Sequence, residues 1–397
     1  MAGLLTIDEA QQLVLERVPP PAAERVPLDE AAGRVLREPA AAATDLPPFP
    51  SSAMDGFALR AVDTPGDLPV VFRIAAGWPA PRALQAGEAM AIATGGVVPE
   101  GADAVIPVEY VVEHDNSISI ADAVAAGANV RRRGGDVGAG ETVVQAGTRL
   151  GPAHLGALAA AGVATVVCAA SPRAAVLATG TELRRPGEAL RPGEVYEANG
   201  VILAAQLASA GALVGRLAAV ADDEEAHREA IARGLESDVL VTSGGVSVGP
   251  HDLVRRIERE LGVEEVFWRV AVKPGKPVSF GVRGSTLVFG LPGNPVSSLV
   301  GFELLVRPAV LALQGHARPL PQLQPGRLAA AVRRSPDRDQ LLRARTRSDD
   351  DAVLLEPLAG QESHMIARAA GADALVLVPR GEGELAAGAP ARYLRLD

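Results

Sequence analysis

Asp238-Val-Leu-Val-Thr-Ser-Gly-Gly-Val-Ser-Val-Gly249 runs from an aliphatic, β-branched strand through a glycine-rich loop to a helix opening near Asp252. The same strand-to-helix alternation extends on both sides. Strand 174–178 leads to helix 199–210, with Asn199 expected as its N-cap. Strand 213–220 leads to helix 223–234, and strand 238–242 to helix 252–261. Strands at 266–272, 278–281 and 286–289 precede a long helix over 295–313. Strands alternating with helices of ten or more residues predict a parallel sheet covered on both faces. Ligands of such sheets bind outside the carboxyl ends of the strands.

The flanks have a different character. Two helices are expected in the first forty residues, 7–18 and 28–36, the first opened by a Thr6-Ile-Asp-Glu9 capping box. From about 40 to 136, short β-branched runs separated by Pro and Gly predict a small β domain. A helical piece at 152–161 follows. Beyond the Pro-rich 319–325 segment, the runs 326–334, 341–345, 352–357, 374–379 and 391–396 predict a small barrel or sandwich. The fold class is therefore α/β plus β, multidomain: 1–42 with 137–170 helical or linking, 43–136 β, 171–318 α/β, and 319–397 a C-terminal β domain.

Composition narrows the function. The 397 residues carry a net charge of −10, which argues against a nucleic-acid-wrapping surface. The single cysteine, Cys168, lies in an apolar run and reads as a buried inert thiol. The N-terminus has no basic n-region ahead of an apolar stretch, and the uncharged 152–172 stretch is broken by Gly162. No membrane contact and a cytoplasmic location are therefore expected.

Of 38 Lys plus Arg, only Lys273 and Lys276 are lysines, both in Val272-Lys-Pro-Gly-Lys-Pro277. Two compact ammonium groups in a proline-braced turn suit an oxyanion or phosphate. Ser243, Gly244, Gly245 and Ser247 form a loop that a ligand can approach closely. Its spacing matches neither a dinucleotide fingerprint nor a P-loop. Glu182, Asp222 and Asp252 each follow a strand and suit Mg²⁺, although Asp222 and Asp252 are equally explained as helix caps. Leu291-Pro-Gly-Asn-Pro-Val-Ser297 turns the last strand into a helix that opens at Pro295, placing Pro292 and Asn294 at the same edge.

With Ser51-Ser-Ala-Met-Asp-Gly56, Ala93-Thr-Gly-Gly96, Pro99-Glu-Gly-Ala-Asp103 and Arg132-Arg-Gly-Gly-Asp136, these blocks resemble the molybdopterin molybdenumtransferase family. This is the MoeA type, similar to the E domain of gephyrin. The resemblance covers nearly the whole chain in order. It implies a homodimer whose cleft lies between the α/β domain of one subunit and the β domain of the other. It implies Mg²⁺-dependent hydrolysis of adenylylated molybdopterin with molybdate insertion and release of AMP. Partners would be the adenylyltransferase that makes the substrate and the apo-molybdoenzymes that take the product. On matching positions, Asp55, Thr94 and Asp136 come from the smaller lobes, and Glu182, Asp222, Asp252 and Lys273 from the α/β domain. Pro292 and Pro295 shape the pocket, while Arg343 and Ser363 are supplied by the tail. Arg269 stands where many members have Lys, and Glu362 where many have Gly. Alternatives are an adenylyltransferase-like enzyme, a tungstate-inserting paralogue and a gephyrin-like scaffold.

Overall fold

The computed structural model describes residues 4–75, 77–217, 223–245, 253–349 and 352–396. Internal contacts divide the chain into two units. One comprises Arg25–Ala32 and Glu38–Val167; the other comprises Met1–Glu24, Gly33–Arg37 and Cys168–Asp397.

In the larger unit, Leu213–Arg216, Arg173–Ala178, Val239–Ser243 and Thr286–Leu291 lie side by side in that order, all parallel. Every residue of Val239–Ser243 and Thr286–Leu291 is buried. That fits their sequences, which are apolar without alternation because helices cover both faces. Helix Asn199–Ser209 buries Leu203 and Leu207, one turn apart. Helix Glu224–Gly234 is capped by Asp223, whose Oδ1 accepts from Ala226 N at 2.8 Å.

The sheet continues with Ser279–Arg283 and Glu264–Trp268, both running antiparallel to their neighbours. Only Gly284 and Ser285 separate Ser279–Arg283 from Thr286–Leu291, and Gly284 has φ +59°. So short a connection permits only a hairpin. The uninterrupted parallel sheet expected from the alternation is therefore a four-stranded parallel core with a two-stranded antiparallel extension.

The helical stretch Pro295–Leu313 lies behind this sheet and contains a π-helical segment, Phe302–Val306. It is long and apolar enough to cross a membrane by composition alone, but 78% of it is buried, and its side chains belong to the main core. Helix Ile7–Leu15 packs on it, with Gln11 Nε2 donating to Leu304 O at 2.9 Å. The Thr6 capping box forms as expected.

The tail closes into a barrel: Asp339–Asp349, Ala352–Pro357, Gln324–Leu328, Pro390–Arg395 and Ala374–Val378, which pairs back to Asp339–Asp349. Val272–Lys273 leaves the α/β sheet and adds to this barrel, parallel to Asp339–Gln340.

The smaller unit holds a six-stranded sheet in the order Ala104–Pro107, Gly56–Leu59, Ala89–Ile92, Gly66–Ile74, Ser117–Ile120, Val112–Glu113. A Cβ on Gly56 would lie 2.0 Å from Ile106 O, so only glycine lets these strands meet. The helix expected over 28–36 does not form. Ala23–Pro27 is a strand, Leu28–Glu30 is one 3₁₀ turn, and Gly33 adopts φ +76°. Pro27 and Gly33 bracket too few residues for a stable helix.

Phe280 and Phe289 stack at 4.9 Å in the main core, both essentially inaccessible to solvent. We predict that Phe289→Ala lowers unfolding free energy by about 3–5 kcal/mol in chemical denaturation. A loss below about 1 kcal/mol would contradict this packing.

Candidate functional site

The parallel strands end level. Ala178 is in register with Ser243, and Ser243 with Leu291. Three loops leave the sheet there, and they line a cavity of about 1520 Å³. This exceeds the roughly 300–1,000 Å³ of pockets for drug-sized ligands. Its walls include Thr179, Gly180 and Glu182 after the first strand, Ser243, Gly244 and Gly245 after the third, and Pro292, Gly293, Asn294 and Pro295 after the last. Leu213–Arg216 and Val239–Ser243 flank Arg173–Ala178 on opposite sides, so the cavity lies at the topological switch point.

The glycines allow the loops to pack this closely. Gly244 has φ +96°, and a Cβ there would lie 2.6 Å from Thr179 O. Gly245 has φ +66°, with Val254 Cγ2 at 2.4 Å from such a Cβ. Thr179 N donates to Ser243 O at 3.0 Å and Gly244 N to Leu291 O at 3.1 Å, which lace the three exits together. The Glu182 carboxylate lies over Gly180 and has no hydrogen-bond or ion-pair partner among the described residues.

The C-terminal barrel contributes one wall. Asn294 Nδ2 donates to Ser363 Oγ at 2.9 Å, and Val296 N donates to Ser363 O at 3.1 Å, while His364 and Ile366 reach the cavity. Arg343, expected as a substrate contact, is 2% exposed. Its guanidinium donates to Gly360 O at 2.8 Å, to Glu362 O and Met365 O at 3.3 Å, and to Gln361 Oε1 at 3.3 Å. Burial pushes its pKa down. Arg343 thus holds the loop that presents Ser363 and does not line the cavity itself.

Lys273 and Lys276 are also absent from the cavity wall, although Pro277 is in it. Val272–Lys273 pairs with the barrel strand at Asp339–Gln340. Neither ammonium has a carboxylate partner among the described residues. The cations that do line the cavity are Arg255, Arg256 and Arg259 of helix Leu253–Glu260. Arg269 adopts φ +81°, and its guanidinium stacks 3.7 Å from the Trp268 ring. Asp222, Ser247 and Asp252 lie outside the described residues.

In the smaller unit, Asp55 lines a separate cavity of about 490 Å³ with Arg73 and Glu113. Its Oδ1 accepts from Thr94 N at 2.6 Å and Thr94 Oγ1 at 2.9 Å. Those bonds hold the Asp55 carboxyl below the usual aspartate range. Asp136 is exposed on a turn and does not line this cavity.

Comparison with known proteins decides the family. Residues 5–162 match the MoeA N-terminal region (domains I and II), 175–312 a probable molybdopterin binding domain, and 325–396 the MoeA C-terminal region (domain IV). Molybdopterin molybdenumtransferase 2 of Mycobacterium tuberculosis is 36% identical over 398 residues, covering 96% of this chain and 97% of that one. The chain belongs to the MoeA family of molybdopterin molybdenumtransferases.

The Haemophilus influenzae molybdopterin molybdenumtransferase is 38% identical over 318 residues, covering 79% of this chain and 78% of its own. The crystal structure of a molybdopterin biosynthesis MoeA protein from Pyrococcus horikosii superposes with a TM-score of 0.85 at 32% identity, covering 99% of each chain.

Within this MoeA-family chain, the cavity residues that escaped sequence reasoning as site residues include Arg255, Arg256, Arg259, Glu197 and Asn199. Glu197 is 6% exposed and paired with Arg216 at 3.0 Å. Asn199, expected as a helix N-cap, sits inside the first turn, after Ala198. Its scarcity was the available signal, since the chain has only four asparagines. As for Mg²⁺, no cluster of three metal-ligating side chains occurs among the described residues. Glu182 is their one unpartnered carboxylate in the cavity, so they do not by themselves complete a Mg²⁺ site.

We predict that Thr94→Val, which removes the hydroxyl donor and keeps the backbone donor, raises the Asp55 pKa toward the ordinary aspartate range, as measured by carboxyl NMR titration. The sign follows from the depressed folded pKa. Asp55 contributes stability above the unfolded aspartate pKa, and that contribution is lost as pH falls through its folded value. An unchanged pKa in the variant would contradict the assigned cause.

Proposed function

We propose that this chain takes adenylylated molybdopterin in the carboxyl-end cavity of its α/β domain and releases AMP as molybdate is inserted at the dithiolene. Molybdenum insertion in molybdenum cofactor biosynthesis is its activity as a molybdenumtransferase of the MoeA family. The finer reading draws its main support from one observation. Three level strand exits, one of them with two glycines whose missing Cβ atoms let its neighbours pack close, enclose a cavity larger than a drug-sized ligand needs.

The residues divide the work by chemistry. Gly244 and Gly245 let the phosphates come against the backbone, and Pro292, Asn294 and Pro295 fix the opposite wall. Ser363, held by Asn294 and by the Arg343-braced loop, extends that wall toward the barrel. Lys273 and Lys276, without carboxylate partners among the described residues, would serve as donors to an oxyanion at the Pro277 end, where molybdate is the tetrahedral candidate. Mg²⁺, when bound, would neutralise pyrophosphate charge. Glu182 is the described residue that would hold it, with Asp222 and Asp252 as the remaining candidates.

A homodimer is part of this proposal. Asp55 and Thr94, and Asp136 with them, would complete the partner subunit's cleft, and the reaction would take place in the cytoplasm. The substrate would come from the adenylyltransferase, and the product would pass to apo-molybdoenzymes.

The test is AMP release from adenylylated molybdopterin with molybdate and Mg²⁺. The wild type is expected to release AMP. Glu182→Gln, Lys273→Ala and Asp252→Ala are each expected to lower the rate by about a hundredfold. Absence of AMP from the wild type rejects the reaction, and wild-type rates in the variants remove those side chains from it.

A further inference from the structure

We infer that Asn199 is a positioning residue whose side-chain amide ties the three loops of the cavity together, so that the spacing of the reaction site depends on that one donor group. This rests on the reading of the cavity as the substrate site.

The geometry is specific. Asn199 opens helix Asn199–Ser209, which follows the first strand of the sheet. Its Nδ2 donates to Ser243 Oγ at 2.8 Å and to Gly293 O at 2.7 Å. These acceptors belong to the exits of two other strands, Val239–Ser243 and Thr286–Leu291. A carbonyl can only accept, so Gly293 O fixes which end of the amide faces the loops. Ser243 Oγ, accepting from Asn199, retains its own proton. It lies 3.2 Å from Pro292 O and 3.3 Å from Ser298 Oγ, which itself bonds Pro292 O. Ser243 is 2% exposed and Ser298 fully buried.

Two further observations separate this role from ordinary packing. Among the described residues, Asn199 Oδ1 is buried without a hydrogen-bond partner, so the bonds this side chain makes to them come from its donor end. The backbone of the helix start is also pinned. Glu197 accepts from Gly200 N and pairs with Arg216, and a Cβ on Gly200 would sit 2.8 Å from Glu197 Oε2. Asn199 therefore projects from a fixed base toward exits that are otherwise joined through Ser243 Oγ to Pro292 O and Thr179 Oγ1 to Ser243 O. Gly244 N to Leu291 O and Thr179 N to Ser243 O act only at the exits themselves.

Hydrogen exchange and steady-state turnover of full-length wild type, Asn199→Ala, Ser243→Ala and the double variant test this. Amides over 292–298 are expected to exchange about tenfold faster in Asn199→Ala, the loss of one hydrogen bond's net contribution. Exchange over Val239–Val241 stays at the wild-type rate. In turnover of adenylylated molybdopterin, kcat falls about tenfold while KM stays within about twofold. Because both single changes break the Asn199–Ser243 bond, the double variant is expected to lose less than the sum of the two single losses. Losses that add, with no kcat-against-KM split, would mean that the two side chains act independently of the bond between them. Wild-type exchange over 292–298 in Asn199→Ala, or additive effects in the double variant, overturns the inference. Should Asn199→Ala fail to fold, Asn199→Asp removes the donor end at nearly the same size, and wild-type exchange over 292–298 in that variant overturns the inference equally. If wild-type protein releases no AMP, the proposed reaction fails, while the exchange data still decide the clamp.

Discussion

The site depends on the register of three parallel strands. Ala178, Ser243 and Leu291 are paired neighbours across the sheet, so the chain leaves it three times at one level. Parallel pairing forces each strand to be followed by a crossover, and the crossovers here begin with loops in place of immediate helices. A register shift of one residue would turn every buried side chain of a strand to the other face. Val239–Ser243 and Thr286–Leu291 are buried on both faces, so close packing against their neighbours, and not a polar-apolar difference between faces, resists that slip.

Level exits alone would give a shallow edge. Depth comes from the loops being held close: by glycines whose missing Cβ atoms leave room, by backbone bonds at the exits, and by side-chain amides beyond them. Asn199 joins loops within the α/β domain, and Asn294 joins the last loop to Ser363 of the barrel region. Arg343 acts one layer further back, using its buried guanidinium to hold the segment that carries Ser363. Arginine suits that task because its planar fork reaches several carbonyls at once.

Much of this architecture was legible in the sequence. The strand–helix alternation, the glycine-rich turn after Thr242 as far as it is described, Ser243 to Gly245, and the proline-opened helix after Asn294 are local signals that appear where expected. What was not legible depends on partners distant in sequence. Val272 reads as the end of an α/β strand and Lys273 as part of a turn, yet Val272–Lys273 pairs with Asp339–Gln340, and neither lysine is in the cavity wall. Arg343 looks like an anion contact until its acceptors, all 17 to 22 residues away, are known. Residues 28–36 carry helical composition, but Pro27 and Gly33 leave room only for a 3₁₀ turn.

The most direct test of the account is a crystal structure of the protein soaked with AMP and molybdate. The nucleotide phosphate is predicted against Gly244 and Gly245, between the Thr179–Gly180 turn and Pro292–Asn294, with molybdate toward Pro277. Ordered AMP elsewhere, with those three loops unoccupied, would contradict the assignment of this cavity as the site of chemistry.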